Sequence, residues 1–304
     1  MFLKKCFLST ALTATVLVTS LSSFSMVSAN GAQDTNSLQV NSTSTSPPSL
    51  DAYLKSKGFP DDLIALYDVE QKQDLYNQKA DFLGYNTVGN RIDERLIQPY
   101  ALDSSNNFSH TVSASRVVSA KGTVQIALNY NWDWKYDPTY TMEDQWGIAW
   151  SDGFTLVDNS SQYKYIAYGK RTDLIGSTEE DTNGGVTQTG GIYTVGAGMA
   201  YKVNLVGSWS RPNPGSAAAK TFSTYRHKGW SGFSIRKGHD NSKNIVTTSF
   251  SAMYFHQFLK PSGSISFGGG SAIPGIQIGW ATSYDSSKSS ATASVAWGQQ
   301  DKLS

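Results

Sequence analysis

Residues 122–132 read GTVQIALNYNW. Val124, Ile126, Leu128, Tyr130 and Trp132 fall on alternate positions, with Gln125, Asn129 and Asn131 between them. Successive side chains of an extended chain point to opposite faces, so this stretch has one apolar and one polar face. Such alternation marks a half-buried antiparallel strand.

The same period of two runs from about residue 108 onward. It predicts strands at 111–119, 122–132, 145–151, 163–169, 190–195, 199–206, 220–227, 231–236, 243–257, 262–267, 275–283 and 290–297. Clusters such as Asn183-Gly184-Gly185 and Pro212-Asn213-Pro214-Gly215 separate them. Short strands with no helical pattern between them predict a mainly β fold over 108–304, an antiparallel β-sandwich or flattened barrel.

Residues 49–107 predict a small cap of two to three helices and a connection. Ser49 is placed to cap a helix carrying Leu50, Tyr53 and Leu54, which Gly58 ends. Pro60 opens a second, with Asp61 and Asp62 at the favourable end of the helix dipole. Leu63, Ile64, Leu66 and Tyr67 form its apolar side, and Asp68 caps a third turn through Leu75 and Tyr76. That apolar side is expected to pack on the β domain, the alternative being a docking helix for a partner.

Two segments precede the cap. Residues 30–48, NGAQDTNSLQVNSTSTSPP, lack apolar periodicity and read as a disordered spacer. Residues 1–29 read as a signal peptide. Lys4 and Lys5 are followed by an apolar run diluted by Ser and Thr, then by Val27-Ser28-Ala29. Cleavage is expected after Ala29, giving Sec-type export to an extracellular location. A membrane anchor is the competing reading of this segment, and no second apolar run of spanning length follows, so no transmembrane segment is expected after cleavage.

Cys6 is the one cysteine and lies inside that signal. The mature chain is expected to be cysteine-free, without disulfides or thiol chemistry. In this it looks like the secreted proteins of Gram-positive bacteria in general. The chain carries 25 Lys and Arg against 24 Asp and Glu, and two of those cations leave with the signal. A near-neutral chain has no general attraction to nucleic acid, so no nucleic-acid partner is expected.

No local signature assigns a chemistry, and no catalytic residue is predicted. Gly229-Trp230-Ser231-Gly232 misses the G-x-S-x-G elbow by one position. Ser161-Gln162-Tyr163-Lys164 fits S-x-x-K, but in a strand the Ser and Lys would face opposite sides. His110, His227, His239 and His256 are dispersed and read as surface or turn residues, so no metal site is predicted. Glu179, Asp181, Asn183 and Gly184 match the first half of a calcium loop, but Gly190 stands where a bidentate Glu belongs, and the segment reads as an acidic turn. Gly196-Ala197-Gly198 lacks the third glycine and the strand-to-helix setting of a nucleotide site. No cofactor is expected.

The densest constellation is Trp132-Asp133-Trp134-Lys135-Tyr136-Asp137-Pro138-Thr139-Tyr140, followed by Glu143 and Asp144. Trp132, Trp134 and Tyr136 share one strand face. With Tyr140 they are the candidate ligand-binding residues, because exposed rings beside carboxylates suit sugars. The competing reading puts the same rings in the core, with Asp133 and Lys135 outside. Glu143 and Asp144 are adjacent, which rarely suits a glycosidase acid–base pair.

The expected function is therefore a secreted non-catalytic β-sandwich protein that binds a cell-wall or glycan surface, or that has a structural or interaction role. A β-pore-forming toxin is the alternative. Segments 243–258 and 286–297 interleave Ser and Thr with apolar residues at the length of a membrane strand, and a membrane partner is expected only in that case. A secreted polysaccharide hydrolase built from scattered carboxylates is the second alternative.

Overall fold

The computed structural model describes residues 49–89, 108–120, 122–138, 141–150, 153–237, 245–257, 265–268, 275–278 and 284–296. Three helices come first: α1 Leu50–Ser56, α2 Asp61–Leu66 and α3 Val69–Asn77. The strands are β1 Asp81–Gly89, β2 Phe108–Val118, β3 Val124–Trp134, β4 Glu143–Trp150, β5 Phe154–Leu156, β6 Gln162–Thr172, β7 Thr178–Gly184 and β8 Gln188–Thr189. They continue with β9 Ile192–Thr194, β10 Gly198–Asn204, β11 Ser208–Arg211, β12 Lys220–Lys237, β13 Ile245–Gln257, β14 Ile265–Gly268, β15 Gly275–Ile278 and β16 Tyr284–Ala296.

All strand pairings are antiparallel among the described residues. The larger sheet runs β1-β2-β3-β12-β6-β7, with β5 and β11 also on β12 and β8 on β6. The smaller runs β16-β13-β4-β10-β9, and β14 and β15 form a separate pair. The two large sheets pack as a sandwich. Ile126, Leu128, Tyr130, Trp132 and Trp134 of β3 meet Trp146, Ile148 and Trp150 of β4 and Phe250, Ala252 and Tyr254 of β13. Two indole N–H groups bridge the sheets: Trp134 Nε1 donates to the Tyr254 hydroxyl at 3.0 Å, and Trp146 Nε1 donates to Ser231 Oγ at 3.0 Å.

The helices form as their caps dictate. Ser49 Oγ accepts the Ala52 amide, and Gly58 leaves α1 with φ of +87°. Asp68 starts α3 with a capping box: its carboxylate takes the Val69 amide, and Gln71 Oε1 takes the Asp68 amide. Leu54, Leu63, Ile64, Tyr67 and Leu75 pack against Val117 and Ala127, on the outer face of the larger sheet. The cap therefore covers that face.

The opposite face of the sandwich is built differently. Gly147, Ala149, Gly198 and Ala200 present almost no side chain there, and the Phe267 ring of β14 lies directly on them. A Cβ at Gly198 would stand 2.3 Å from that ring.

Four expectations change. Residues 81–89 form β1, an edge strand paired with β2, where a connection was expected. Gly84 and Asn86 dilute its pattern, and its register shifts between Phe82 and Gly84. The expected strands 220–227 and 231–236 are one 18-residue strand, β12, because Gly229 lies flat in the ladder rather than breaking it. The acidic turn at 179–184 is instead strand β7, whose charges are matched by Arg171, Arg211 and Lys220. The short strands β5, β8 and β11 were also not anticipated, being too brief to show a period.

Candidate functional site

The candidate site lies where the cap stops covering the larger sheet. A cleft of about 320 Å³ is lined by Tyr67, Asp68, Val69, Lys164, Ile166, Tyr168, Lys228, Gly229 and Trp230. Its floor follows from strand parity. On β6, Lys164, Ile166 and Tyr168 face outward. On β12 their register partners are Trp230, Lys228 and Arg226. Its wall is the start of α3.

Polar contacts hold that wall in place. The Tyr67 hydroxyl and Ser113 Oγ share a 2.7 Å hydrogen bond, and burial pushes the Tyr67 hydroxyl pKa well up, so it stays protonated. Asn131 of β3 donates to Gln71 Oε1 at 2.8 Å. Lys164, with its side chain 8% exposed, lies 2.9 Å from Asp68 Oδ2 and 3.0 Å from Glu70 Oε1. Burial alone would raise the Asp68 carboxyl. Its contacts with Glu70, the Lys164 ammonium and the Val69 amide outweigh that and hold it down at about 2.

Lys164 is thus committed to the wall, whereas Lys228 is not. Asp133, its partner across the β3–β12 ladder, gives both carboxylate oxygens to Arg226, at 2.9 Å from Nε and 2.6 Å to the second nitrogen. The Arg226 guanidinium also lies 5.6 Å from the centre of the Tyr168 ring. The ammonium of half-buried Lys228 has no hydrogen-bond or ion-pair partner among the described residues. The buried indole of Trp230 is next to it, and its N–H has no partner either. The cleft therefore combines the aromatic rings of Tyr67, Tyr168 and Trp230, the apolar side chains of Ile166 and Val69, and one uncommitted cation. Its lining has no serine, cysteine or histidine.

The residues picked out from sequence lie elsewhere. Trp132 and Trp134 are each 1% exposed and belong to the inter-sheet core, so they form no exposed aromatic row. Tyr136 is half-buried against Trp134, and Tyr140 lies outside the described residues. Asp133 is not free in solvent as the core reading had it, since Arg226 binds it. Asp144 is fully buried and accepts from the Tyr254 hydroxyl, His256 Nδ1 and the Gln257 amide, while Glu143 pairs with Lys202. The two carboxylates face different surroundings. Ser161 bonds to Gly190 O and the Tyr201 hydroxyl, away from Lys164.

The histidines are a further correction. His110, His227 and His256 are buried rather than superficial, each with a polar partner, and His239 lies outside the described residues. His227 sits between Tyr165 and Asp137, at 2.9 and 2.8 Å. The Tyr165 oxygen accepts the Val206 amide and shares a hydrogen bond with His227 Nδ1, whose Nε2 shares another with Asp137. This chain of bonds runs through the interior, on the opposite side of the sheet from the cleft. The described parts of segments 243–258 and 286–297 are ladder partners: β13 and β16 pair from Ile245↔Ala296 to Gln257↔Tyr284, and residues 243, 244, 258 and 297 lie outside the described residues.

No protein-family model matches the chain, and no curated protein matches it. Among solved structures, the enzymatically active domain of tailspike protein 4 of bacteriophage CBA120 aligns at 11% identity with a TM-score of 0.20. The alignment takes in 51% of this chain and 17% of that one. A TM-score this low carries no argument about fold or function. No helix among the described residues is long and apolar enough to cross a membrane.

Proposed function

We propose that this is an exported, non-catalytic binding protein that holds an extracellular surface polymer, such as a wall glycan, in the cleft between α3 and the β6–β12 face. The observation that carries the reading is Lys228, an uncommitted cation beside the half-buried ring of Tyr168. Rings accept the C–H faces of sugars, and a single ammonium favours a polymer bearing carboxylate or phosphate groups. The site moves from Trp132–Tyr140 to the opposite face of the same sheet, and the ligand class stays the same. Export through the segment ending at Ala29 belongs to this reading.

The test is binding of the exported chain to insoluble cell walls, with and without their anionic polymers. Tyr168→Ala and Lys228→Ala alter half-buried side chains and leave the core intact. Each is expected to weaken binding about tenfold, or about 1.4 kcal/mol. Wild-type protein that binds neither walls nor soluble polysaccharides would end this reading, as would variants that bind as well as wild type.

Pore formation is the second reading. What favours it is the β13–β16 ladder, whose 13-residue strands exceed the length a bilayer strand needs. What opposes it is the burial of Phe250, Ala252 and Tyr254, which β13 would have to pull from the core. Dye release from liposomes separates the two.

A further inference from the structure

Beyond the sandwich, β6 and β7 run on with β12 and β11 as an arm, packed around Ala167, Trp209 and Phe222. The arm ends in the turn Asp173-Leu174-Ile175-Gly176-Ser177. Leu174 and Ile175 are 106% and 87% exposed, the two most exposed large apolar residues described. The turn is nevertheless held by its own hydrogen bonds. Asp173 Oδ1 accepts the amides of Ile175 and Ser177, Asp173 O accepts the amide of Gly176, and Ser177 O accepts the amide of Asp173. Gly176 has φ of +87°, which the turn requires.

We infer that this tip is a shallow lipid-contacting element that places Leu174 and Ile175 among the acyl chains at a bilayer surface. Three observations select lipid as the occupant. The tip is convex, and lipid receives a projecting apolar pair without needing a matching groove. Four of its five amide hydrogens are satisfied within the turn, which lowers the cost of bringing the tip to the headgroup boundary. The neighbouring loop 212–219 reaches the same end, because β12 begins opposite the end of β6, with Ser223 paired to Lys170. That loop is uncharged, and Pro212, Pro214 and Ala217 to Ala219 are exposed.

Apart from Asp173, whose carboxylate is occupied by the Ile175 and Ser177 amides, the charges stand back from the tip, and together they balance. Four cations, Lys170, Arg171, Arg211 and Lys220, match four carboxylates, Asp173, Glu179, Glu180 and Asp181, with ion pairs at Arg171–Glu179, Lys220–Glu179 and Arg211–Asp181. The contact is therefore apolar, with no preference for anionic lipid and little dependence on salt. It spans nothing, and it is separate from the cleft: Leu174 lies six residues beyond Tyr168, roughly 20 Å along the strand.

The test is co-sedimentation of the full exported chain with phosphatidylcholine vesicles, at low and high salt and with an added fraction of phosphatidylserine. Wild type is expected to partition equally well in all conditions. The Leu174→Ser/Ile175→Ser double variant, with unchanged thermal stability because both side chains are exposed, is expected to lose at least tenfold. A further variant, Ile175→Trp, should shift its emission to the blue on vesicles. No wild-type partitioning, an unchanged double variant, or binding that appears only with phosphatidylserine and vanishes in salt would each overturn the assignment. Tip-dependent binding to cells but not to vesicles would also overturn it, and would give the tip to a protein partner. Wall binding through Tyr168 and Lys228 is measured separately and survives or fails independently.

Discussion

The indole of Trp132 lies flat on Gly229: a Cβ at residue 229 would stand 2.5 Å from Trp132 Cζ2 and 2.6 Å from Cε2. The ring has no room to retreat, being packed against Trp146 and Tyr254 with centroids 5.5 and 5.1 Å away. Gly229→Ala therefore overpacks the core and should cost about 1–3 kcal/mol in urea unfolding. Gly229 also lines the cleft, so wall binding should weaken with it.

Trp132→Ala and Trp134→Ala should each lose about 3–5 kcal/mol of stability, the usual cost of a large aromatic cavity. Wherever the variants remain folded, their affinity should match wild type, because neither ring reaches the cleft. An affinity loss without a stability loss would restore the aromatic-row site.

Acid should destabilise the protein through His110. Burial lowers its pKa from 6.5 to about 3 in the fold, where the Tyr130 hydroxyl is bonded to Nδ1. Between those values the unfolded chain holds a proton that the folded chain does not. This contribution is therefore complete above pH 6.5 and declines by about 1.4 kcal/mol per pH unit as pH falls toward 3. His110→Gln should flatten the slope over that window in pH-dependent urea melts.

Arg226→Ala should change specificity more than stability. Without the guanidinium, Asp133 turns to Lys228, its partner across the ladder, and the cleft loses its uncommitted cation. Binding to anionic walls should fall about tenfold while neutral polysaccharide binding holds. The stability loss should stay near 1 kcal/mol, since Arg226 is part-exposed.

Much of the fold was legible because burial on one sheet face writes itself as alternation, as in Val124 to Trp134. The helical caps were legible because Ser49, Pro60 and Asp68 act locally. The strands β1 and β7 were hidden for a physical reason. Edge strands satisfy fewer packing demands, so residues such as Gly84, Asn86 and Glu179 are tolerated in them. The cleft left no local trace at all. Its parts come from α3, β6 and β12, and the contact that shapes its wall joins Glu70 to Lys164, 94 positions away. The rings most conspicuous in sequence were conspicuous because the core needs them.

Strand β12 joins the two halves of the larger sheet, with β3 on one side and β6 on the other, and it begins only at Lys220. Strand β4 likewise waits for β13, which begins at Ile245. A chain emerging N-terminus first can complete neither layer until nearly all of it is present. Such long-range pairing folds slowly, and under the proposed export that delay would leave the chain open for threading. A ribosome stalled before Lys220 would release β3 and β6 with bare edges, a species ready to aggregate.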